Sequence, residues 1–181
     1  MMQIGFFDSG IGGLTVLHQA KRAMPQEDYL YYADTDHVPY GRKTKEEIKQ
    51  YVREAVDFIA EQGVKALVVA CNTATSVAIQ DLRARYSFPI LGMEPAVKPA
   101  VNDTHCTKRI LVTATPVTIR EEKLQNLLHQ VDQHHQVDLL PLPRLVEFAE
   151  QGNFNDGQAE AYLRETLSAF DLEQYCTVVL G

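Results

Sequence analysis

Short apolar runs bounded by turn residues alternate with amphipathic stretches along the whole chain. Residues 3–7 read as a strand, closed by Asp8-Ser9-Gly10-Ile11-Gly12-Gly13 and followed by a helix over about 14–24. A second strand, 29–33, runs into a polar loop at 34–43 and then a long helix from near Thr44. In that helix Ile48, Tyr51, Val52, Ala55, Phe58 and Ile59 recur at the 3/4 spacing of one buried face, and Gly63 stops it. Residues 65–70 are almost wholly apolar, which predicts a strand covered on both faces, as in a parallel sheet. A helix over 73–86 and a short strand at 88–91 follow.

The order then starts again beyond Gly92-Met93-Glu94-Pro95-Ala96-Val97-Lys98-Pro99. Strands are expected at 109–113, 136–140 and 177–181, with helices at 118–131, 145–151 and 158–170. Repeated strand–helix units predict an α/β fold, a parallel sheet with right-handed crossovers. A faint internal repeat is also visible. Phe7-Asp8-Ser9 corresponds to Thr113-Ala114-Thr115, and the Val68-Val69 strand to Val178-Val179. Two similar lobes are therefore expected, 1–93 and 94–181, and the position after Gly181 would match Cys71. A strand ending flush with the last residue leads us to expect a fragment of a longer protein.

Composition changes little in this picture. With 45% apolar and 23% charged residues over 181 positions, the chain is long enough for a real core. No apolar run reaches the roughly 18 residues of a membrane span. The opening Met1-Met2-Gln3-Ile4-Gly5-Phe6-Phe7-Asp8 lacks a basic segment, so no secretory signal and a cytoplasmic location are expected. Seventeen basic against 24 acidic residues give a net charge of -7, with no basic stripe for a phosphate backbone, so nucleic acid is not an expected partner. The three cysteines, Cys71, Cys106 and Cys176, read as reduced thiols. His105-Cys106 and His134-His135 lack a second ligand pair, so no metal site is expected.

In open parallel sheets, ligands bind where strands hand over to helices. Three segments fall there: Asp8-Ser9-Gly10, Pro39-Tyr40-Gly41 and Cys71-Asn72-Thr73. The first lacks the third glycine of a dinucleotide loop and the Lys-Ser/Thr of a Walker loop. It reads either as a helix cap or as a carboxylate beside free N–H donors, suited to a ligand with both ammonium and carboxylate groups. Cys71 ends a buried strand and opens a helix, where the positive end of the helix dipole is expected to lower a thiol pKa. A buried structural cysteine is the alternative, and the polar Asn72-Thr73 pair favours a reactive one. Cys106 lies in a polar stretch, and Cys176 sits at the wrong end of its strand, ~16 Å from the far end at ~3.3 Å per residue. Both are expected to be structural. Glu147 reads as a solvated helix carboxylate.

Gly5-Phe6-Phe7-Asp8-Ser9-Gly10-Ile11-Gly12-Gly13-Leu14-Thr15-Val16, Ala33-Asp34-Thr35 through Val38-Pro39-Tyr40-Gly41, and Ala70-Cys71-Asn72-Thr73-Ala74 together resemble the glutamate racemases of the cofactor-independent aspartate/glutamate racemase superfamily. Thr115-Pro116-Val117-Thr118-Ile119-Arg120 and Leu145-Val146-Glu147 resemble weaker second-half motifs. The likeness covers the whole chain but about two thirds of a typical member. It implies quasi-twofold lobes with the active site between them, no cofactor, and interconversion of L- and D-glutamate by two cysteines, the D-glutamate going into peptidoglycan. Cys71 would exchange the α-proton on one face of the substrate and Asp8 would poise that thiol. Asp8, Ser9, Tyr40, Gly41, Asn72, Thr73 and Thr115 would hold the substrate. The family's second thiol lies in a Gly-Cys-Thr-His motif, of which Gly181 would be the glycine, so this chain alone is expected not to racemise glutamate. Homodimers are common in the family.

Two rivals remain open from the residues. One is a single-cysteine enzyme of arylmalonate-decarboxylase type, in which one thiol protonates one face of a carbanion. The other is a non-catalytic amino-acid-binding module of two α/β lobes.

Overall fold

The computed structural model describes residues 2–105, 107–152 and 155–181. The chain divides into two compact units, Met1–Glu94 and Pro95–Gly181. Each is an α/β unit built on its own parallel sheet.

In the first unit the elements run β1 (Ile4–Asp8), α1 (Leu14–Ala23), β2 (Tyr29–Ala33), a short 3-10 turn (Tyr40–Arg42), α2 (Lys45–Glu61), β3 (Ala66–Val69), α3 (Asn72–Arg85) and β4 (Ile90–Gly92). The strand order is β2-β1-β3-β4. β1 is central and buried throughout, as its Ile-Gly-Phe-Phe run requires. Thr44 caps α2 in a reciprocal box with Glu47, satisfying orphan donors at the helix start. Gly63, at φ 75°, ends the helical segment in a left-handed conformation open to glycine. The buried face of α2 is Ile48, Val52, Ala55, Val56 and Ile59. Phe58, expected there, is 47% exposed and instead leans on the Tyr32 ring at 5.4 Å. In β3, Leu67 and Val69 are buried while Ala66 and Val68 are half-buried, so its cover is less complete than an unbroken apolar run predicts.

The second unit runs α4 (Val97–Val101), β5 (Arg109–Ala114), α5 (Pro116–Arg120), α6 (Glu122–Val131), β6 (Val137–Pro141), α7 (Pro143–Glu150), α8 (Gln158–Leu167), a 3-10 turn (Leu172–Gln174) and β7 (Tyr175–Leu180). Its sheet order is β6-β5-β7. The single helix expected at 118–131 is two, because Glu121 adopts extended backbone between α5 and α6. The short α4 is absent from the sequence reading, where Pro95 and Pro99 mark a break. One side of the sheet packs Val97, Ile110, Val112, Leu124 and Val179 together, and another cluster joins Leu111, Leu140 and Leu142.

At the N-terminal end of this sheet Arg109 grips Asp138 through Nε and an Nη at 2.5 Å each, and Tyr175 donates its hydroxyl to the same carboxylate at 2.6 Å. One carboxylate thus ties all three strands together, and the Arg109 and Tyr175 bonds hold its pKa below the ordinary value of 3.8. A group with a depressed folded pKa stabilises above its unfolded pKa and stops doing so as pH falls through the folded one. Asp138→Asn should therefore lower the urea midpoint at neutral pH, with the difference vanishing in acid where the wild-type carboxyl is protonated. Urea titrations at the two pH values check this.

The two sheets repeat one hydrogen-bond pattern. Ala70 N–H donates to the Phe7 carbonyl at 2.8 Å, and Gly181 N–H to the Thr113 carbonyl at 2.7 Å. Asp34 N–H donates to Asp8, and Leu142 N–H to Ala114, both at 3.0 Å. Ala70 and Gly181 are thus counterparts at the ends of β3 and β7.

Candidate active site

The C-terminal ends of β1, β2 and β3 meet in the first unit, because β1 pairs in parallel with both neighbours. Asp8 closes β1, and its Oδ1 accepts the Gly10 N–H at 2.8 Å, a local turn. The segment is not the helix cap that the sequence allowed: α1 begins at Leu14, with Gly13 at the N-cap and no side-chain cap. Tyr31 donates its hydroxyl to the Gly10 carbonyl at 2.8 Å and anchors the turn from β2.

Cys71 is the N-cap of α3, and its sulfur accepts the Ala74 N–H at 3.3 Å. Ser9 Oγ lies 3.5 Å from Sγ. The thiol is 7% exposed. Thr73 is buried and Asn72 half-buried on the first turn of α3. Thr75 donates to the Val69 carbonyl at 3.1 Å and fixes the helix onto the strand. Asp8, Ser9, Cys71, Asn72 and Thr73 therefore lie along two neighbouring strand ends and the turns that leave them.

The expected acidification of the thiol is not what the surroundings produce. Burial first, and the Asp8 charge second, push the Cys71 pKa from 9.0 up to about 11. Hydrogen bonds from Ser9 and Ala74 pull it down but are outweighed. Helix-end amides favour a thiolate, but the cost of burying its charge is larger here. About one molecule in ten thousand carries the thiolate at pH 7. The rate of iodoacetamide alkylation should thus rise with a midpoint near pH 11 in place of 9. Because the folded pKa is raised, the group's contribution to stability is complete below pH 9 and lost as pH climbs through 11.

Tyr40 is buried at the start of the 3-10 turn, which packs on α3. Its hydroxyl donates to Asp34 Oδ2 at 2.6 Å, and burial together with that bond holds its pKa far above the ordinary 10.0. Gly41 follows it, half-buried. Asp34 and His37 join this cluster, and sequence reasoning gave them no individual role. The available signal was a carboxylate directly after an apolar strand.

The remaining residues sort differently. Thr115 stands at the end of β5 in the second unit, where its Oγ1 caps α5 by accepting the Thr118 N–H at 3.2 Å. Glu147 lies on α7 half-buried, with Oε1 shielded from solvent, and is not the solvated carboxylate expected. Cys176 is disulfide-bonded, which corrects the reading of three reduced thiols. Cys106 lies outside the described residues. Cys71 is a free cysteine.

A family model described as Asp/Glu/hydantoin racemase matches residues 14–181. The chain belongs to that family. It is 57% identical over 181 residues to glutamate racemase 2 of Bacillus subtilis, covering 99% of this chain and 68% of the relative. It is also 57% identical to a glutamate racemase of Halothermothrix orenii, covering 99% and 71%. Among solved structures, Escherichia coli glutamate racemase in complex with L-glutamate and the activator UDP-MurNAc-ala matches with a TM-score of 0.89 at 32% identity, covering 100% of this chain and 69% of that one. Membership in this racemase family fits the two α/β units. Among the described residues no helix is long and apolar enough to cross a membrane.

Proposed function

We propose that the protein interconverts L- and D-glutamate by proton transfer at the α-carbon, with Cys71 serving one face. The observation that carries this reading is the buried Cys71 thiol at the β3–α3 junction, beside Ser9 and under the field of Asp8. The relatives at 57% identity, both named glutamate racemase, support the choice of substrate. In this reading the D-glutamate supplies peptidoglycan.

The raised thiol pKa suits the task in two ways. At neutral pH the resting thiol is an acid able to hand its proton to a carbanion. Once ionised, it is a stronger base than an ordinary thiolate. Asp8 supplies the bias, and a substrate ammonium placed against Asp8 offsets that charge and eases ionisation as the substrate binds. In the forward step the thiolate takes the α-proton, the S–H bond forms as C–H breaks, and the electron pair spreads into the α-carboxylate. Donors around that carboxylate then stabilise the developing charge. Ser9, Asn72, Thr73 and Thr115 are proposed to hold the substrate's polar groups. Tyr40 and Gly41 would act through ring and main chain, since the Tyr40 hydroxyl already donates to Asp34.

A racemase needs an acid on the opposite face, because a single base returns the proton to the side it left. The ladder equivalence of Ala70 and Gly181 makes the end of β7 the counterpart of the strand end that leads into Cys71. Among the described residues of 1–181, Cys71 is the one free thiol at a strand end, so in D2O that polypeptide should exchange the α-proton of one glutamate enantiomer and not convert it to the other. Full racemisation by that polypeptide would refute the two-thiol mechanism. Absence of any exchange, together with Cys71 alkylation that glutamate does not slow, would refute the substrate assignment.

A further inference from the structure

We propose that Asp34 is a positioning residue, which holds the Pro39-Tyr40-Gly41 turn beside Cys71 by gripping Tyr40 and His37 at once; this rests on the glutamate reading of the site. Asp34 stands at the end of β2, one residue beyond the strand, and is 6% exposed. A carboxylate so buried persists only if its charge is answered by directed donors. Both oxygens are engaged: Tyr40 Oη donates to Oδ2 at 2.6 Å, and His37 Nδ1 lies 2.7 Å from Oδ1. Hydrogen bonds to an ionised acceptor are the short, strong kind, and two from different residues fix direction as well as distance.

The grip extends to α2. The His37 imidazole stacks on Tyr51, with centroids 3.8 Å apart and planes 12° from parallel, and Lys43 lies over the same tyrosine ring at 6.0 Å. The main chain of Asp34 is tied to β1 through its N–H bond to the Asp8 carbonyl at 3.0 Å. One residue therefore links the strand that ends in Asp8, the turn that carries Tyr40, and the helix behind both. The 3-10 turn that starts with Tyr40 packs on α3, the helix that Cys71 caps. Asp34 itself acts at one remove, through Tyr40, on the space beside the thiol. An Asp34 serving only to finish β2 would need neither side-chain bond.

The test uses Asp34→Asn, Tyr40→Phe and the double variant, with two readouts. Amide hydrogen exchange follows residues 38–43, and the glutamate concentration that half-shields Cys71 from iodoacetamide follows the site. Each single variant should raise exchange at 38–43 at least tenfold while leaving α3 unchanged, and should raise the half-shielding concentration at least tenfold. The double variant should be no worse than Asp34→Asn alone, because the Tyr40 link is already lost there. If Asp34→Asn does not fold, Tyr40→Phe, which keeps the ring, carries the same comparison. Unchanged exchange at 38–43 overturns the proposal. So does faster exchange with a wild-type half-shielding concentration, since the turn would then be held without serving the site. Wild-type Cys71 left unshielded by glutamate, with faster exchange in the variants, supports the grip on the turn and overturns the glutamate reading.

Discussion

Cys71→Ser is expected to abolish α-proton exchange into glutamate, by about 10³-fold or more, while leaving glutamate binding measurable. The hydroxyl is close in size to the thiol and can still accept the Ala74 N–H that the sulfur accepts at 3.3 Å. The cap of α3, the Ser9 contact and the neighbouring donors should therefore survive. What disappears is an acid–base group that ionises near pH 11, replaced by a hydroxyl that ionises only in far stronger alkali. Exchange measured by NMR in D2O, beside a binding isotherm, separates the two effects. A variant that binds and exchanges like wild type would remove Cys71 from the chemistry. The same variant isolates the alkaline stability effect, since the wild type alone should lose stability between pH 9 and 11 through this group.

Gly13→Ala is expected to destabilise the first unit by about 2–3 kcal/mol and to speed Cys71 alkylation. A Cβ on Gly13 would stand 2.8 Å from Asp8 Cβ, 2.9 Å from Ala70 Cβ and 3.0 Å from the Tyr31 hydroxyl. The first two belong to residues whose main chains sit in the β1 and β3 ladders, so relief requires the strand ends to part. Those ends carry Asp8 and lead into Cys71. Gly12→Ala is the control, because its new methyl would meet only Asp8 Oδ1, at 3.9 Å. Urea denaturation and alkylation rates should set the two variants apart. Equal behaviour would mean that the turn is slack and that close approach does not explain Gly13.

Much of this molecule is legible in its sequence, for reasons that differ by element. β1, α2 and β5 carry strong local patterns: an apolar strand, a 3/4 face with a Thr44–Glu47 box, a second apolar strand. Their surroundings agree with those patterns. α5 and α6 are harder, because the break at Glu121 is one extended residue with no proline or glycine to announce it. The turn at Asp8 resembles a cap because Asp-Ser-Gly often caps helices, yet the helix starts six residues later, beyond Gly13, which lies tightly against Asp8 and Ala70. Asp34 was visible as a carboxylate after a strand, but its hold on Tyr40 and His37 is a contact of three side chains around a loop, which no periodicity encodes.

Local pattern alone determined the α/β class, the repeat of strand–helix units and the placement of Asp8 and Cys71 at strand ends, since each depends on residues near one another in the chain. Tertiary structure decided the character of the thiol. The helix-end amides that favour ionisation are local and could be read in advance. The burial and the Asp8 charge that outweigh them come from segments more than sixty positions apart, brought together by the pairing of β1 with β3.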